Sequence, residues 1–201
     1  MLKVLDLFAG IGGFTLGLEK TGYYKTVGFV EIGSYQQKIL QKHWPDIPIY
    51  SDIRNIKGLD FNIDLITGGF PCQPFSKAAR GRYTAIDFWP EMLRVIKEAK
   101  PSYIIAENVV KRAIIKAQQD IEEIGNYETT IIKISAAYCG APHQRTRWWL
   151  CAYPNMQGKL HSTIYEETQK LPELCKDVWK SENLARALRV SNGVSNRMDR
   201  I

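Results

Sequence analysis

The chain has 201 residues, of which 45% are hydrophobic and 24% are charged. These ordinary globular proportions exclude wholesale disorder, and the absence of an apolar run of roughly 18 to 20 residues excludes a transmembrane helix. The formal net charge of +6 excludes no class of protein but favours a polyanionic partner.

Short apolar runs alternate with segments of helical spacing along the first 153 residues. This alternation predicts an α/β fold with a mostly parallel sheet and helices on both faces. In such a sheet, ligands bind at the carboxyl ends of the strands. The predicted strands are 3–8, 25–31, 63–69, 102–109, 127–137 and 147–153, and the predicted helices are 14–22, 33–44, 88–100 and 113–125.

A glycine-rich turn follows the first predicted strand. Gly10 and Gly12 permit a tight turn and a close approach to a ligand. Thr15 stands where a dinucleotide fingerprint has its third glycine, so a nucleoside without phosphates fits better than a pyrophosphate. Glu31 ends the second strand, where an acid can hold ribose hydroxyls, and Asp52 could reach an adenine amine. Taken alone, the same residues also suit a turn whose glycines serve packing and whose acids are caps.

Cys72 stands between two prolines, directly after the third predicted strand. It could be a structural thiol, a protease-like nucleophile, or a nucleophile toward an electron-poor ring. A protease needs a base beside the thiol, and the chain has only 3 histidines, of which His143 lies in an arginine-rich stretch typical of anion or base recognition. The 4 cysteines lie far apart without metal-binding spacing, which predicts free thiols and no metal site.

Further polar groups follow neighbouring strands. Glu107 and Asn108 end one strand, and a carboxyl with a raised pKa can donate a proton to a ring nitrogen while a thiol attacks. Arg145 and Arg147 share one side of an extended segment, where two guanidinium groups suit a carbonyl oxygen, a phosphate or a carboxylate. Each residue singly is more often a solvated or capping group. Their convergence with the glycine turn at one sheet edge predicts a shared active site.

The segments DLFAGIGG, GGFPCQPFS, ENV and HQRTR, in this order and spacing, resemble the cytosine-5 DNA methyltransferase family, in particular its compact bacterial and phage-borne members. The resemblance covers essentially the whole chain. It implies a Rossmann-like S-adenosylmethionine-dependent methyltransferase sheet, double-stranded DNA as partner, and the cytoplasm of a bacterial or phage-infected cell as location. The implied cofactor, S-adenosylmethionine, would contact Phe8, Ala9, Gly10, Ile11, Gly12, Gly13, Glu31, Ile32, Asp52, Ile53, Pro71 and Phe88.

The resemblance also implies catalytic roles. Cys72 would add to carbon 6 of a cytosine flipped out of the duplex, and Glu107 would protonate or hydrogen-bond its ring nitrogen 3. Asn108 would brace the catalytic loop, while Arg145 and Arg147 would contact the base oxygen and steady the thiol and Glu107. The remaining substrate contacts would be the Phe70 carbonyl, which meets the exocyclic amine, and Pro71, Gln73, Ser76, Lys77, Arg80, Arg82 and His143. The basic residues among them also suit a merely solvated loop.

The predicted organisation has a catalytic domain at 1–153, a very small target-recognition region at 154–183 and a tail at 184–201 that returns to the catalytic domain. Two positions depart from the family pattern, because His143 replaces a usual glutamine and Ile32 replaces a frequent aromatic. The family's last motif, which packs beside the first and completes the cofactor pocket, is not found before Ile201. We therefore expect weakened cofactor binding, or a second chain that supplies this motif.

Two other functions stay open. The missing motif favours a degenerate or partner-dependent fragment that binds DNA with little or no turnover alone, whereas the set of Cys72, Glu107 and Arg147 favours an active enzyme. A related enzyme acting on tRNA would use the same chemistry, but the short recognition region favours DNA.

Overall fold

The computed structural model describes residues 1–57, 62–71 and 87–155. These ranges contain seven strands and four α-helices, and each helix lies between two strands in the sequence. The strands are β1 (Leu2–Leu7), β2 (Tyr24–Val30), β3 (Ile49–Tyr50), β4 (Leu65–Gly69), β5 (Tyr103–Asn108), β6 (Tyr127–Ser135) and β7 (Thr146–Pro154). The helices are α1 (Gly13–Glu19), α2 (Ser34–His43), α3 (Trp89–Ala99) and α4 (Lys111–Glu122), with 3-10 turns at Ile53–Asn55 and Ala136–Cys139.

All seven strands form one sheet in the order β3-β2-β1-β4-β5-β7-β6. Strands β1 to β5 run parallel to one another, whereas β7 runs antiparallel to both β5 and β6. The pairs Leu7 with Gly68 and Gly69 with Glu107 bring the carboxyl ends of β1, β4 and β5 to one edge. The predicted α/β class with a mostly parallel sheet is confirmed.

Helices cover the sheet on both faces, as alternate residues of β5 show. Ile104 and Ala106 belong to the main core together with Ile114 of α4. Ile105 points to the other face and lines a groove with Phe14 of α1. The central strands are accordingly rich in buried apolar residues, as expected for strands that are covered on both faces.

The groove beside α1 is open and apolar, with a volume of about 520 Å³. It runs between α1 and the far strands of the sheet, and the Trp149 indole packs edge-on against Phe14 there at 5.4 Å between ring centroids. The buried Trp149 Nε1 has no hydrogen-bond partner among residues 1–57, 62–71 and 87–155. The groove is lined by Gly13, Phe14, Gly17, Leu18, Ile105, Ile132, Ile134, Trp149 and Cys151. None of the helices in the described ranges is long and apolar enough to cross a membrane.

A buried carboxyl ties β1, β4 and α1 together beneath the glycine turn. Asp6 accepts hydrogen bonds from Thr15 Oγ1 at 2.9 Å and from Thr67 Oγ1 at 2.8 Å. Burial raises the pKa of Asp6 to about 6, although the hydrogen bonds from Thr67 and Thr15 oppose this shift. The nearby Glu31 carboxylate adds a smaller rise in the same direction.

This raised pKa predicts a pH-dependent stability that Asp6→Asn removes. The folded state holds the Asp6 proton more tightly than the unfolded chain, so its stabilising effect is present below pH 3.8 and is lost as the pH rises through about 6. Across this window the free energy of unfolding of the wild type should fall by about 3 kcal/mol relative to D6N. Urea unfolding of both proteins over this pH range measures the difference, and parallel pH profiles would contradict the assignment.

Candidate active site

The turn between β1 and α1 has a left-handed backbone at three positions: φ is 53° at Phe8, 56° at Gly10 and 86° at Gly12. Glu31, the residue after β2, links this turn to the start of α2 through its two carboxylate oxygens. Its Oε2 accepts the Gly10 N–H and its Oε1 accepts the Gly33 N–H, each at 2.7 Å. A carboxylate has about four acceptor positions, so Glu31 can still accept hydrogen bonds from the hydroxyl groups of a ligand.

Gly12 serves a purpose that its sequence context did not reveal. A Cβ at this position would lie 2.6 Å from the Trp44 ring and 3.1 Å from Leu40 Cδ2. The close approach that requires a glycine is therefore to the indole after α2, rather than to a ligand. The hydrogen bond from Trp44 Nε1 to Glu19 Oε2, 2.9 Å long, fixes this indole against α1.

A cavity of about 190 Å³ opens at the carboxyl ends of β1, β2 and β4. Seven of the predicted cofactor residues line it: Phe8, Glu31, Ile32, Asp52, Ile53, Pro71 and Phe88. Val30, Ser51 and Gly69 complete the lining and were not predicted. The other predicted residues of the glycine turn, Ala9, Gly10, Ile11, Gly12 and Gly13, are not among the lining residues, and Gly10 acts on the cavity through Glu31.

The cavity combines apolar walls with two carboxylates. Phe8 and Phe88 meet edge-on with ring centroids 6.0 Å apart. Asp52 accepts from Arg54 Nη2 at 2.6 Å and from the Arg54 N–H at 2.9 Å. These hydrogen bonds hold the pKa of Asp52 below its usual value, so this side chain is a charged acceptor. Apolar surfaces for a base and carboxylates for hydroxyl and amino groups suit a nucleoside, in agreement with the argument from the missing third glycine.

Arg94, which the sequence did not single out, anchors the turn that forms one wall of the cavity. From α3, its Nη2 donates to the Ile53 carbonyl at 2.8 Å and its Nη1 donates to the Ile56 carbonyl at 2.9 Å. Glu91 and Glu98 hold the same guanidinium in place at 2.9 and 3.0 Å. The wall formed by Asp52 and Ile53 therefore depends on a side chain from a distant helix.

We expect Arg94→Ala to weaken binding of the cofactor that the resemblance implies, S-adenosylmethionine, roughly tenfold, equivalent to about 1.4 kcal/mol. Without the guanidinium, two carbonyls lose a charged donor and the turn can shift. Calorimetric titration with S-adenosylmethionine measures the change. Glu98→Gln is the matched control, because it removes one partner of Arg94 and leaves both carbonyl contacts in place. Equal affinities for R94A and the wild type would contradict the anchoring role.

Glu107 stands next to this cavity, at the end of β5. Gly69 lines the cavity, and a Cβ on Gly69 would lie 3.0 Å from Glu107 Oε2. Arg147 Nε lies 2.8 Å from Glu107 Oε1. That oxygen is buried and, within the described ranges, accepts no hydrogen bond of good geometry. Burial raises the pKa of Glu107, while the charges of Arg147 and Arg145 oppose the rise.

Asn108 braces the chain that leads to the cysteine. Its Nδ2 donates to the Phe70 carbonyl and its Oδ1 accepts the Val110 N–H, both at 2.9 Å. The Asn108 side chain is buried, and its amide nitrogen and its amide oxygen each have a backbone partner. Pro71 lines the cavity, and Cys72 is the next residue along the chain. Cys72 lies outside the described residues, as do Gln73, Ser76, Lys77, Arg80 and Arg82.

The turn before β7 carries the other predicted polar residues. Arg145 is exposed, and its charge acts on the Glu107 carboxyl. His143 is also exposed, at the same end of the sheet. The structure therefore brings Glu107, Arg145 and Arg147 together, whereas a contact of His143 with a substrate stays a prediction.

The fold and this cavity define a class of α/β proteins that can bind a nucleoside at the carboxyl edge of a mostly parallel sheet. Residues 2–196 match the family of C-5 cytosine-specific DNA methylases. Because the match covers most of the sequence, the chain belongs to this family, and the predicted family is confirmed.

Curated relatives agree with this assignment. The chain is 34% identical over 169 residues to the type II methyltransferase M.CviJI of Paramecium bursaria Chlorella virus IL3A, covering 75% of this chain and 42% of the relative. It is 32% identical over 176 residues to the type II methyltransferase M.HindV of Haemophilus influenzae, covering 80% of this chain and 54% of the relative. The chain thus spans about half the length of the relatives it matches.

Solved structures share the fold. A prophage-encoded protein of E. coli, described as a DNA modification methyltransferase, is 28% identical with a TM-score of 0.63 and matches 77% of this chain and 47% of its own. The Dnmt2 methyltransferase of S. pombe is 25% identical with a TM-score of 0.65 and matches 79% of this chain and 53% of its own. The predicted methyltransferase-type sheet is confirmed.

Proposed function

We propose that this protein transfers a methyl group from S-adenosylmethionine to carbon 5 of cytosine in double-stranded DNA. The observation that carries the proposal is the position of Gly69, which lines the cavity and whose added Cβ would lie 3.0 Å from Glu107 Oε2. A methyl donor in the cavity and a base at Glu107 would therefore be neighbours. Membership of the cytosine-specific methylase family supports the same reaction.

The residues present fit the proposed cofactor. Glu31 would accept the ribose hydroxyls and Asp52 the adenine amine, while Ile53 and Phe88 would pack against the adenine ring. Ile32 is exposed at the rim and offers an aliphatic surface in place of an aromatic one. S-adenosylmethionine would supply an electrophilic methyl group at the end of the cavity that Pro71 and Gly69 form.

The chemistry begins at Cys72 in this proposal. Its thiolate forms a bond to carbon 6 of the cytosine, while ring nitrogen 3 takes a proton from Glu107. The resulting enamine would make carbon 5 nucleophilic enough to take the methyl group, with the sulfur–methyl bond of the donor breaking and S-adenosylhomocysteine as the leaving group. Carbon 5 then loses its proton to a base, the bond between sulfur and carbon 6 breaks, and the proton on nitrogen 3 returns. One difficult substitution is thereby divided into easier steps.

The described side chains support proton donation to ring nitrogen 3. Glu107 needs its proton to act as a donor, and burial favours this form because it raises the pKa of the carboxyl. The contact of Arg147 Nε with Oε1 restricts the orientation of the Glu107 carboxyl. The other N–H groups of the guanidinium could then donate to the base oxygen. The Phe70 carbonyl uses one acceptor position for Asn108, so its second lone pair can accept from the exocyclic amine of cytosine.

The target base must leave the duplex, at a cost of a few kcal/mol, before this chemistry can occur. We propose that residues 154–183 read the sequence around it and that 184–201 return to the catalytic domain at 1–153. The loop residues Lys77, Arg80 and Arg82 would contact phosphates. These segments lie outside the described residues, apart from the start of the recognition region.

Bisulfite sequencing of DNA from cells that express the chain tests the proposal. Protected cytosines should appear in one short sequence context, and cells that express the Cys72→Ala variant should lack them. The protected context also reports the recognition site. Bisulfite sequencing of tRNA from the same cells shows whether the chain methylates tRNA instead of DNA. Equal protection of DNA in both cultures would contradict the proposal.

The open groove beside α1 favours a second candidate, a fragment that binds DNA but depends on a further polypeptide segment for turnover. Such a segment would cover the apolar walls and could offer an acceptor to Trp149 Nε1, which has no hydrogen-bond partner among the described residues. Titration of the isolated chain with S-adenosylmethionine distinguishes the two. An affinity equal to that of a full-length relative would favour the autonomous enzyme, and no binding would favour the dependent fragment.

A further inference from the structure

Two lysines flank one indole ring at the carboxyl edge of the sheet. The Nζ atoms of Lys111 and Lys133 lie 4.9 and 5.7 Å from the centroid of the Trp148 ring. Lys111 begins α4, and Lys133 is the cross-strand partner of Trp148. We call these three residues the lysine–tryptophan cluster.

The lysine–tryptophan cluster is adjacent to the candidate active site. Trp148 pairs with Asn108 on β5, and the next pair along the two strands is Glu107 with Trp149. Because successive residues of a strand point to opposite faces, the cluster lies on the α4 side and Glu107 on the α1 side. A ligand that extends over the sheet edge from Glu107 would therefore reach the cluster.

Charge is strongly segregated at this edge. The segments 107–115, 130–135 and 143–149 contain the cations Lys111, Arg112, Lys133, Arg145 and Arg147. Glu107 is the one acidic residue in these segments, and it pairs with Arg147. Lys111 and Lys133 are both exposed, so their ammonium groups are accessible. Two like charges near one ring repel each other, and an anion between them would relieve this repulsion.

We propose that the lysine–tryptophan cluster binds backbone phosphates of the DNA beside the flipped cytosine. This inference rests on the function proposed above and adds a site to it. The contacts of the two ammonium groups with the indole restrict their positions, so fewer conformations are lost when a phosphate binds. The cluster would hold the strand in register over the sheet edge while the base leaves the stack, without reading its sequence.

Anisotropy titration of the whole chain with a labelled duplex tests the inference. The duplex need not contain the recognition sequence, since phosphate contacts do not depend on sequence. The Lys111→Ala/Lys133→Ala variant should bind more weakly and should lower the slope of log affinity against log salt by about 1 per lysine. Measurements between about 50 and 200 mM salt determine this slope.

The Lys38→Ala/Lys42→Ala variant is the matched control, because it removes two exposed lysines from α2 and changes the net charge equally. It should keep the wild-type slope. A K111R/K133R variant should also keep it, because both charges remain. Binding of S-adenosylmethionine should be the same in all variants, which shows that the fold is intact.

An unchanged slope in K111A/K133A, or an equal loss in the α2 control, would overturn the inference while the proposed methylation could still hold. A wild-type chain that binds no duplex would overturn both. A lowered slope in K111A/K133A alone, with full binding of the cofactor, is the expected result.

Discussion

Glu107→Gln is expected to lower kcat for cytosine methylation by about 10²- to 10⁴-fold, the usual contribution of a positioned general acid. Glutamine keeps the size of the side chain and can still hydrogen-bond ring nitrogen 3, but it cannot transfer a proton to it. The substitution removes the negative charge opposite Arg147 Nε, which lies 2.8 Å from Glu107 Oε1, but neither of these residues lines the cavity. Binding of S-adenosylmethionine should therefore change little.

The pH profile adds a readout specific to this role. In the wild type, activity should fall on the alkaline side as Glu107 loses its proton, and burial moves this fall to a higher pH than for an ordinary glutamate. The E107Q variant should lack this limb, because glutamine does not titrate. Glu123→Gln, at the end of α4, is the matched control and should keep wild-type rates. An alkaline limb that persists in E107Q would assign the titration to another group.

Gly12→Ala is expected to destabilise the fold by roughly 2 to 5 kcal/mol and to abolish cofactor binding. Two effects add at this position. A left-handed backbone costs a residue with a Cβ on the order of 1 to 2 kcal/mol, and overpacking costs typically 1 to 3 kcal/mol. Here φ is 86° and the new Cβ would lie 2.6 Å from the Trp44 ring. The indole cannot yield easily, because Glu19 holds its Nε1.

Differential scanning calorimetry should show a fall in Tm on the order of 10 °C for G12A. Gly17→Ala is the matched control in the same segment, because nothing lies within 4 Å of its added Cβ. A glycine in a helix interior is less stable than alanine by roughly 0.5 to 1 kcal/mol, so G17A should be slightly more stable than the wild type. A G12A protein with wild-type Tm and cofactor affinity would show that the turn relaxes freely.

Most strands and helices were predicted from the sequence, because the spacing of apolar residues and the turn residues at strand ends are properties of neighbouring residues. Helix α4 begins at Lys111 rather than at residue 113, and β6 ends at Ser135 rather than at 137. The antiparallel insertion of β7 between β5 and β6 was not predicted, since strand order depends on contacts between distant residues. The sequence offered Glu107 as a proton donor but not the environment that would favour its protonated form, and in the structure burial raises the pKa of this carboxyl.

Site residues whose own side chains carry the chemistry could be predicted from the sequence. Residues that hydrogen-bond the backbone of a distant segment could not. Glu31, Asp52 and Glu107 follow strand ends and could be identified from that position. Arg94 could be expected to pair with Glu98 on the same helix, but not to donate to the Ile53 carbonyl, 41 residues earlier. Contacts of this kind become visible only when the tertiary structure is known.

The most direct test of the account is a trapping experiment on the intact chain. A duplex with fluorine at carbon 5 of the target cytosine cannot lose a proton there, so the bond between sulfur and carbon 6 should persist after methyl transfer. Incubation with this duplex and S-adenosylmethionine should give a covalent protein–DNA complex, and peptide mass spectrometry should place the attachment at Cys72. No complex under conditions where an active relative forms one, or attachment at another residue, would contradict the account.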